Sequence, residues 1–473
     1  MKFHNTYRNL PSDFFRSASA AKVDHPELLS LNESLAHQLG FDFSQYSKEQ
    51  LAQVFSGQVL LEGSEPMALA YAGHQFGHFV PSLGDGRALL LGEVVKEEMR
   101  FDLQLKGSGQ TFFSRRGDGK SALGPVLREY ILSESMHALN IPTTRALAAV
   151  ATNEHIQREE VVPGGIFTRV ALSHIRIGTF QYFAARNEKE NLKQLLHYTI
   201  DRHFQHLKPS QNNDELVVRF LEQIIENQTT LVSLWMAHGF IHGVMNTDNM
   251  SIALQTIDYG PCAFMDNFNP NQVYSYIDRQ GRYAYSNQPK ILSWNLARLA
   301  DCLIPLFQVS EDEAISRLNQ ALQKVPSLFT KKYTSLILKK LGLEDREENI
   351  SIVETWFDYL EEQKLDFTLA FRNLSKMGKG DLSFYPRSSK FSVFYDMWKV
   401  KAKTDDLNSM NPIFIPRNHV IEDMIKKAYS GDFKLFHELI KFSAQPFVEL
   451  EANHPFYRSP ASHEVVKNTF CGT

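Results

Sequence analysis

The chain has 473 residues, of which 43% are hydrophobic and 22% are charged, and its formal net charge is −4. This balance is typical of a soluble protein with two or three structural units, and it gives no electrostatic reason to expect a nucleic-acid partner. No apolar stretch is long enough to cross a bilayer, and residues 1–10 do not resemble a secretory signal. Three scattered cysteines exclude a disulfide framework. We therefore expect a cytoplasmic protein with no membrane partner.

The first part of the chain mixes helical and β patterns. Apolar residues at helical spacing predict helices over 26–39, 48–54 and 121–141. Apolar and alternating runs predict strands over 87–95 and 100–106, with a turn between them, and over "ALAAVAT" and "GGIFTRVA". Pro142 is expected to end the third helix, because proline cannot continue one.

Helices dominate the sequence from Glu190 onward. The 3.6-residue period predicts helices over 192–204, 216–238, 291–307, 311–323 and 350–373. A β-rich part followed by a helical part is typical of a bilobal enzyme whose site lies in the cleft between two lobes. We expect an α+β chain with a β-rich N-lobe over 1–150, a catalytic C-lobe over 151–310 and a helical C-terminal extension over 311–473.

Two glycines precede a predicted strand in the stretch "SLGDGRALLLGE". Gly84 and Gly86 would let backbone amides approach a phosphate closely, and Arg87 would add charge-assisted donors. A Gly-Asp-Gly sequence is also common in simple turns. This stretch alone leaves a turn and a phosphate site open.

Lys106 ends the next predicted strand and is followed by the glycine-rich basic stretch "GSGQTFFSRRGDGK". A strand lysine usually points to water, but a loop of this composition is typical of anion binding. Glu129 follows in the predicted helix. A strand lysine paired with a helix glutamate positions phosphates in kinase folds, so we predict an ion pair between Lys106 and Glu129. The alternative is an exposed Glu129 beside Arg128.

The stretch "HGFIHGVMNTDNMSIALQTIDYGP" is similar in register to a kinase catalytic loop followed by D-F-G. His242 begins the loop, Asn249 ends it, and the D-Y-G that starts at Asp258 stands in place of D-F-G. Asn249 and Asp258 offer oxygen ligands suited to Mg²⁺ or Mn²⁺. Val244 occupies the position of the kinase base and cannot accept a proton, and Asp248 is the nearest carboxylate in the loop. Different chemistry on the same nucleotide is the favoured interpretation, and a helix cap followed by a hairpin over "MSIALQTI" is the alternative.

These stretches, together with "YAGHQFGHFVPSLGDGRALLLGE", "GGIFTRVALSHIRIGTFQYFA" and "NPIFIPRNHVIEDMI", closely resemble the selenoprotein O family of protein adenylyltransferases. The resemblance covers most of residues 66–300 and reaches more weakly to the C-terminus. It implies a protein-kinase-like fold that binds ATP in an orientation flipped relative to kinases. AMP would then pass to a Ser, Thr or Tyr hydroxyl of a protein.

The resemblance also implies a role for each matching residue. Asp248 would be the general base, Asn249 and Asp258 would hold Mg²⁺ or Mn²⁺, and Glu129 would pair with Lys106. The residues implied to bind the nucleotide are Gly84, Gly86, Arg87, Lys106, Asp118, Gly119, Arg169, Arg176 and Asp258. The alternatives are a phosphotransferase, UMP transfer from UTP, and a non-catalytic pseudokinase that serves as a scaffold.

A few residues outside these motifs also suggest roles. The family often carries selenocysteine or cysteine third from the end, where this chain has Cys471, so a redox role for this thiol is a hypothesis. His74 and His78 are four apart, a metal-like helical spacing, but no third acidic ligand is evident and we expect them to be structural or substrate-side. Trp235, Trp294, Trp356 and Trp398 are expected in the core.

Overall fold

The computed structural model describes residues 3–207 and 213–469. Its strands are β1 (Phe15–Ser17), β2 (Glu27–Leu31), β3 (Met67–Leu69), β4 (Gly73–Gln75), β5 (His78–Val80), β6 (Ala88–Lys96), β7 (Met99–Lys106), β8 (Ser121–Ala122), β9 (Arg145–Gln157), β10 (Val161–Ala171), β11 (Phe240–Ile241) and β12 (Ala263–Phe264).

Short 3₁₀ turns aside, the remaining regular structure in these ranges is α-helical. The helices are α1 (Glu33–Gln38), α2 (Lys48–Phe55), α3 (Leu123–Ala138), α4 (Ile177–Ala184), α5 (Lys189–His203), α6 (Asn213–Ala237), α7 (Gln288–Leu303), α8 (Glu311–Leu322), α9 (Val325–Lys340), α10 (Ile350–Gln363), α11 (Phe367–Arg372), α12 (Leu374–Met377), α13 (Ser389–Trp398), α14 (Leu407–Met410), α15 (Asn418–Tyr429) and α16 (Lys434–Ser443). Among the described residues, none of these helices combines the length and apolarity needed to cross a membrane.

An antiparallel sheet of eight strands organises the N-terminal part. Its order is β1-β3-β6-β7-β10-β9-β2, and β8 pairs with β10. Leu35 and Leu51, from α1 and α2, pack with Leu103 and Val150 in one apolar cluster. Leu127 of α3 belongs to the larger cluster that continues into the helical part. Alternation along the strands thus sends apolar side chains to both faces of the sheet, and α3 lies between the sheet and the helices.

The chain is mixed α and β, with a sheet-rich N-terminal part and a helical C-terminal part, as the sequence predicts. Strand β9 crosses residue 150, and the sheet continues through β10 to Ala171. The division into three units stays a prediction, but the sheet itself extends beyond the expected end of the N-lobe.

The helix expected over 26–39 is wrong in its first half. Glu27–Leu31 forms β2, which pairs with β9, and α1 begins only after Asn32. Asn32 Oδ1 accepts a hydrogen bond from the backbone N–H of Leu35 at 3.0 Å and caps the helix. The leucines that suggested helical spacing in this stretch are also those that a strand buried on both faces requires.

Two further expectations differ from the structure, one because of contacts to distant parts of the chain and one because of the local backbone. The stretch Met250–Ile257 forms no hairpin, because Ile252 N–H donates to Ile175 and Thr256 N–H donates to Pro142, each at 3.0 Å. The helix expected over 350–373 is divided into α10 and α11. Lys364 separates them with a left-handed backbone, φ 50°.

Helices α15 and α16 return to the N-terminal part and pack against α3. A Cβ on Gly124 would lie 2.7 Å from the hydroxyl oxygen of Tyr429, so α15 approaches α3 where α3 has no side chain. The rings of Tyr130 and Phe436 meet edge to face at 5.5 Å. The C-terminal helices therefore share a core with the helix that carries Glu129.

Candidate active site

Three cations and two carboxylates meet where the sheet joins the helical part. Lys106 Nζ, at the end of β7, lies 2.7 Å from Glu129 Oε2 and 2.8 Å from Asp258 Oδ1. Arg169 of β10 bonds Glu129 and lies 2.6 Å from Asp258 Oδ1, and Arg176 Nη2 lies 3.5 Å from Asp258 Oδ2. The predicted ion pair between Lys106 and Glu129 is present, and residues from four separate segments converge on one point.

The charges in this cluster control the protonation of its acids. Burial alone would raise the pKa of Asp258, but the charges of Arg169, Lys106 and Arg176 outweigh it and hold that pKa well below its usual value. The pKa of Glu129 is lowered in the same way, with Arg169 and Lys106 overcoming burial. Both acids are therefore ionised. Within this group of five side chains the cations outnumber the carboxylates by one, which suits an anionic ligand.

Asp248 lies beside this cluster beneath the β4–β5 hairpin. Gln75 Nε2 approaches Asp248 Oδ2 at 3.5 Å, and Arg176 Nη1 donates to the backbone carbonyl of Asp248 at 3.1 Å. A Cβ on Gly73 would lie 2.5 Å from Asp248 Oδ1, so only glycine fits there. Burial raises the pKa of Asp248 to about 6, and its Oδ1 is buried without a hydrogen-bond partner. An unpartnered buried acceptor beside a cationic cluster is a good candidate for a general base.

Asn249 and Asp258 fit a magnesium or manganese site by the chemistry of their oxygens. Asn249 Nδ2 donates to the Val244 carbonyl at 3.0 Å, which fixes the side-chain amide and leaves its oxygen for a ligand. Among the described residues, no group of three or more His, Cys, Asp or Glu could hold a metal. Phosphate oxygens and water would therefore supply the remaining ligands, as is usual for Mg²⁺.

Comparison with known proteins shows the family to which the chain belongs. The family model described as protein adenylyltransferase SelO matches residues 1–444. The chain belongs to the SelO family. It is 47% identical over 491 residues to the protein nucleotidyltransferase YdiU of Agrobacterium fabrum, with 100% of both chains covered. The YdiU proteins of Pelagibacter ubique and Nitrosococcus oceani are 47% and 44% identical, with 100% of this chain and 99% and 97% of theirs covered. The protein is thus a nucleotidyltransferase.

In this SelO-family chain, the glycines of the two predicted phosphate loops all make close contacts with the second loop, residues 107–120. Gly84 has φ 63°, and a Cβ there would lie 2.2 Å from the Phe113 ring. Gly119 has φ 69°, and a Cβ there would lie 2.1 Å from the carbonyl oxygen of Gly109. A Cβ on Gly86 would lie 3.0 Å from the Phe113 carbonyl. These close approaches explain the glycines without a ligand, so their contact with a nucleotide stays a prediction.

Arg87 and Asp118 lie at different distances from the charged cluster. Arg87 lines a small cavity together with Lys106 and Glu129. Asp118 is half-exposed and pairs with Arg158 at 2.8 Å, and this hydrogen bond lowers the pKa of Asp118. The structure shows no contact between Asp118 and the cluster, and its predicted role in nucleotide binding is untested.

The β4–β5 hairpin is the part of the site that the sequence patterns missed. His74 N–H donates to Thr247 Oγ1 at 2.7 Å, and Thr247 Oγ1 donates to Gln181 Oε1 at 2.6 Å. His74 and His78 lie on two paired strands rather than on the helix that their spacing suggests. No sequence signal links this hairpin to Thr247, because the two segments are 173 residues apart.

Cys471 lies outside the described residues. The nearest described residue with a defined contact is Thr469, whose Oγ1 donates to the carbonyl of Pro261 at 2.6 Å. Cys262 follows Pro261 directly and is buried, as is Cys302. The redox hypothesis for Cys471 therefore stays a hypothesis.

Proposed function

We propose that this protein is an adenylyltransferase with a protein-kinase-like fold that moves AMP from ATP to a Ser, Thr or Tyr hydroxyl of a protein. One observation carries the proposal. Lys106 forms ion pairs with Glu129 and Asp258, as a kinase-like site would require, while Val244 stands where a kinase has its base and the buried Asp248 follows in the same loop. The family name and the similarity to YdiU nucleotidyltransferases support the same class of reaction.

In the proposed reaction, the acceptor hydroxyl oxygen bonds to the α-phosphorus of ATP. The bond between the α- and β-phosphates breaks, pyrophosphate leaves, and the hydroxyl proton passes to Asp248. Lys106, Arg169 and Arg176 would stabilise the phosphates, because they are the cations grouped around Asp258.

Asn249 and Asp258 would hold Mg²⁺ or Mn²⁺, which when bound would neutralise charge that develops on the phosphates. Asp258 now accepts hydrogen bonds from Lys106 and Arg169 through one oxygen. Its second oxygen, 3.5 Å from Arg176, is the one with room for a further ligand. The positive neighbours keep this carboxylate ionised, as a metal ligand must be.

Mass spectrometry of the protein and its acceptors after incubation with ATP and Mg²⁺ or Mn²⁺ tests the proposal. We expect an AMP adduct on a hydroxyl side chain and an equal release of pyrophosphate. A phosphate adduct would indicate a phosphotransferase, and a UMP adduct formed in preference when UTP is added would indicate a uridylyltransferase. Nucleotide binding without any product would indicate a scaffold. A variant with Asp258→Ala serves as the inactive control.

A further inference from the structure

The β4–β5 hairpin covers Asp248 and the loop that carries it. Gly73 and Gln75 touch the Asp248 carboxylate, and Phe76 N–H donates to Asn246 Oδ1 at 3.0 Å. Tyr283 OH donates to the same oxygen at 2.6 Å. The hairpin and the segment that carries Tyr283 are therefore joined through Asn246 of the catalytic loop. Both segments lie next to the loop that carries Asp248, so a polypeptide bound on them would be close to the site.

A platform of arginines and aromatic rings adjoins the hairpin. The guanidinium carbon of Arg282 would lie 3.6 Å from a Cβ on Gly77, at the turn of the hairpin. It lies 4.8 Å from the centre of the Trp294 ring, and that of Arg298 lies 5.4 Å from the same ring. The His74 ring meets Trp294 edge to face at 5.1 Å. Trp294 is only partly buried, unlike the other three tryptophans, so the expectation of a core role is wrong for this one.

Among the described residues, one arginine of this platform has no carboxylate to neutralise its charge. Residues 267–301 contain four basic side chains and two acidic side chains, Asp278 and Asp301. The Asp278 carboxylate accepts the backbone N–H groups of Arg282 and Tyr283 at 2.9 and 2.7 Å. Within the described part of the chain, Arg282 forms no salt bridge, and its Nε is buried with no hydrogen-bond partner. Arg298 pairs with Asp301 at 2.9 Å. The hairpin 73–80 contains no carboxylate.

An exposed aromatic side chain lies on the same surface. Phe79 of the hairpin is 40% exposed, and its ring lies 4.9 Å from the ring of His74, which in turn contacts Trp294. Arginine and aromatic side chains are enriched where proteins bind one another, whereas a purely solvated face has little need of exposed aromatic and aliphatic groups. The arginines, Trp294 and Phe79 beside the hairpin that covers Asp248 point to a polypeptide ligand.

We propose that the platform formed by Arg282, Trp294 and Arg298 docks acidic side chains that flank the acceptor hydroxyl, so that the enzyme favours acidic acceptor segments. This specificity rests on the proposed function. Arg282 supplies the unneutralised charge, and Trp294 holds its guanidinium by cation–π contact. The flanking acidic group would then lie beside Arg282 while the hydroxyl lies at Asp248.

Matched acceptor peptides test this proposal. Each carries one hydroxyl residue flanked by Glu, by the neutral isostere Gln, or by Lys, and AMP transfer is measured with labelled ATP. We expect kcat/KM to be about fivefold higher for the Glu peptide than for the Gln peptide at low salt. The preference should fall as salt is added, because exposed charges are screened.

Charge substitutions test whether the preference for the Glu peptide depends on the platform. Arg282→Gln should remove most of it, so that the Glu and Gln peptides are used about equally, and Arg282→Lys should retain part of it. Arg282→Glu should favour the Lys peptide instead. Arg346→Gln, an exposed arginine paired with Glu344 at 2.8 Å, is the matched control and should behave as wild type. Thermal melting and ATP affinity of each variant show whether the fold is kept. If an Arg282 variant does not fold, Arg298→Gln tests the preference for the Glu peptide at the other arginine of the platform.

The two proposals fail in different ways. Equal transfer to the Glu and Gln peptides, or no inversion in a folded Arg282→Glu variant, would overturn the docking surface and leave adenylyl transfer intact. Absence of AMP transfer to every peptide and protein would overturn the proposed function and this specificity with it.

Discussion

At the scale of single residues, the two aspartates of the site have opposite environments. Asp258 is surrounded by cations that keep it ionised, whereas Asp248 is buried beside glycine and glutamine, and its pKa is raised to about 6. A group that is always charged suits metal and phosphate binding, and a group that can take up a proton suits a base. Replacing each of the two carboxylates should therefore have a different effect on ATP binding and on transfer.

We predict that Asp248→Asn lowers the rate of transfer by about 10²–10⁴-fold, the usual effect of losing a general base. Its affinity for ATP should remain close to that of wild type, because Asn keeps the shape of the side chain. Asp258→Asn should weaken metal-dependent ATP binding as well as transfer. Calorimetric titration with ATP and single-turnover kinetics separate the two effects. A wild-type rate of transfer in the Asp248→Asn variant would show that Asp248 is not the general base.

Lys340 gives a residue-scale prediction about stability. This lysine is buried and, among the described residues, has no salt bridge, and its Nζ lies 4.8 Å from the centre of the Phe371 ring. Burial lowers its pKa to about 7. Between about pH 7 and 10 the unfolded chain binds a proton that the folded chain has lost, so folding stability should rise with pH over this window.

Lys340→Met should therefore increase the free energy of unfolding at pH 7 by about 1–3 kcal/mol, since methionine fills the space without a charge. The gain should be smaller at pH 9, where the penalty in wild type has declined. Urea unfolding of both proteins at the two pH values measures the difference. An equal change at both pH values would show that Lys340 remains charged in the folded protein.

At the scale of elements, local patterns predicted those segments whose partners are near in sequence. The hairpin of β6 and β7 and the pair β9 and β10 follow from alternating apolar residues. Strand β2 was missed because its partner, β9, lies more than 100 residues away. The ion pair of Lys106 and Glu129 could be predicted from motif order. The close approach of Gly73 to Asp248 could not be predicted from the sequence, because it depends on tertiary contact alone.

Helix α3 is fixed by the residue next to Glu129. Arg128 is buried, and its Nη2 donates to the Cys262 carbonyl at 2.6 Å and to Asn418 Oδ1 at 3.0 Å. It thereby ties α3 to the segment after Asp258 and to α15. Because Glu129 orients Lys106, any movement of α3 should change the position of Lys106 relative to the phosphates of bound ATP.

Asn418→Ala should therefore raise the KM for ATP, by about tenfold if one hydrogen bond to a charged group is lost. Glu422→Gln is the matched control, because this carboxylate is partly exposed and lies 3.4 Å from the same guanidinium. Steady-state kinetics at several ATP concentrations provide the measurement. Unchanged kinetics in a folded Asn418→Ala protein would show that α3 is positioned without this contact.

At the scale of the whole molecule, the C-terminal helices belong to the main core. Ile421 and Met424 of α15 and Phe436 and Leu439 of α16 are fully buried in the cluster that includes α3. A fragment of residues 1–410 should expose this face of α3, and we expect it to melt far below the full chain or to aggregate. Circular dichroism and analytical gel filtration of the two proteins test this. A soluble fragment with an unchanged melting temperature would show that the extension is an independent unit.

The central claim is that the α-phosphate of ATP, and not the γ-phosphate, is the group transferred. Parallel reactions with ATP labelled at the α- or the γ-phosphate, each with Mg²⁺ or Mn²⁺ and with Asp258→Ala as control, test it most directly. We predict that the α-label becomes attached to protein and the γ-label leaves with pyrophosphate. Attachment of the γ-label, or equal labelling in the Asp258→Ala control, would contradict the account.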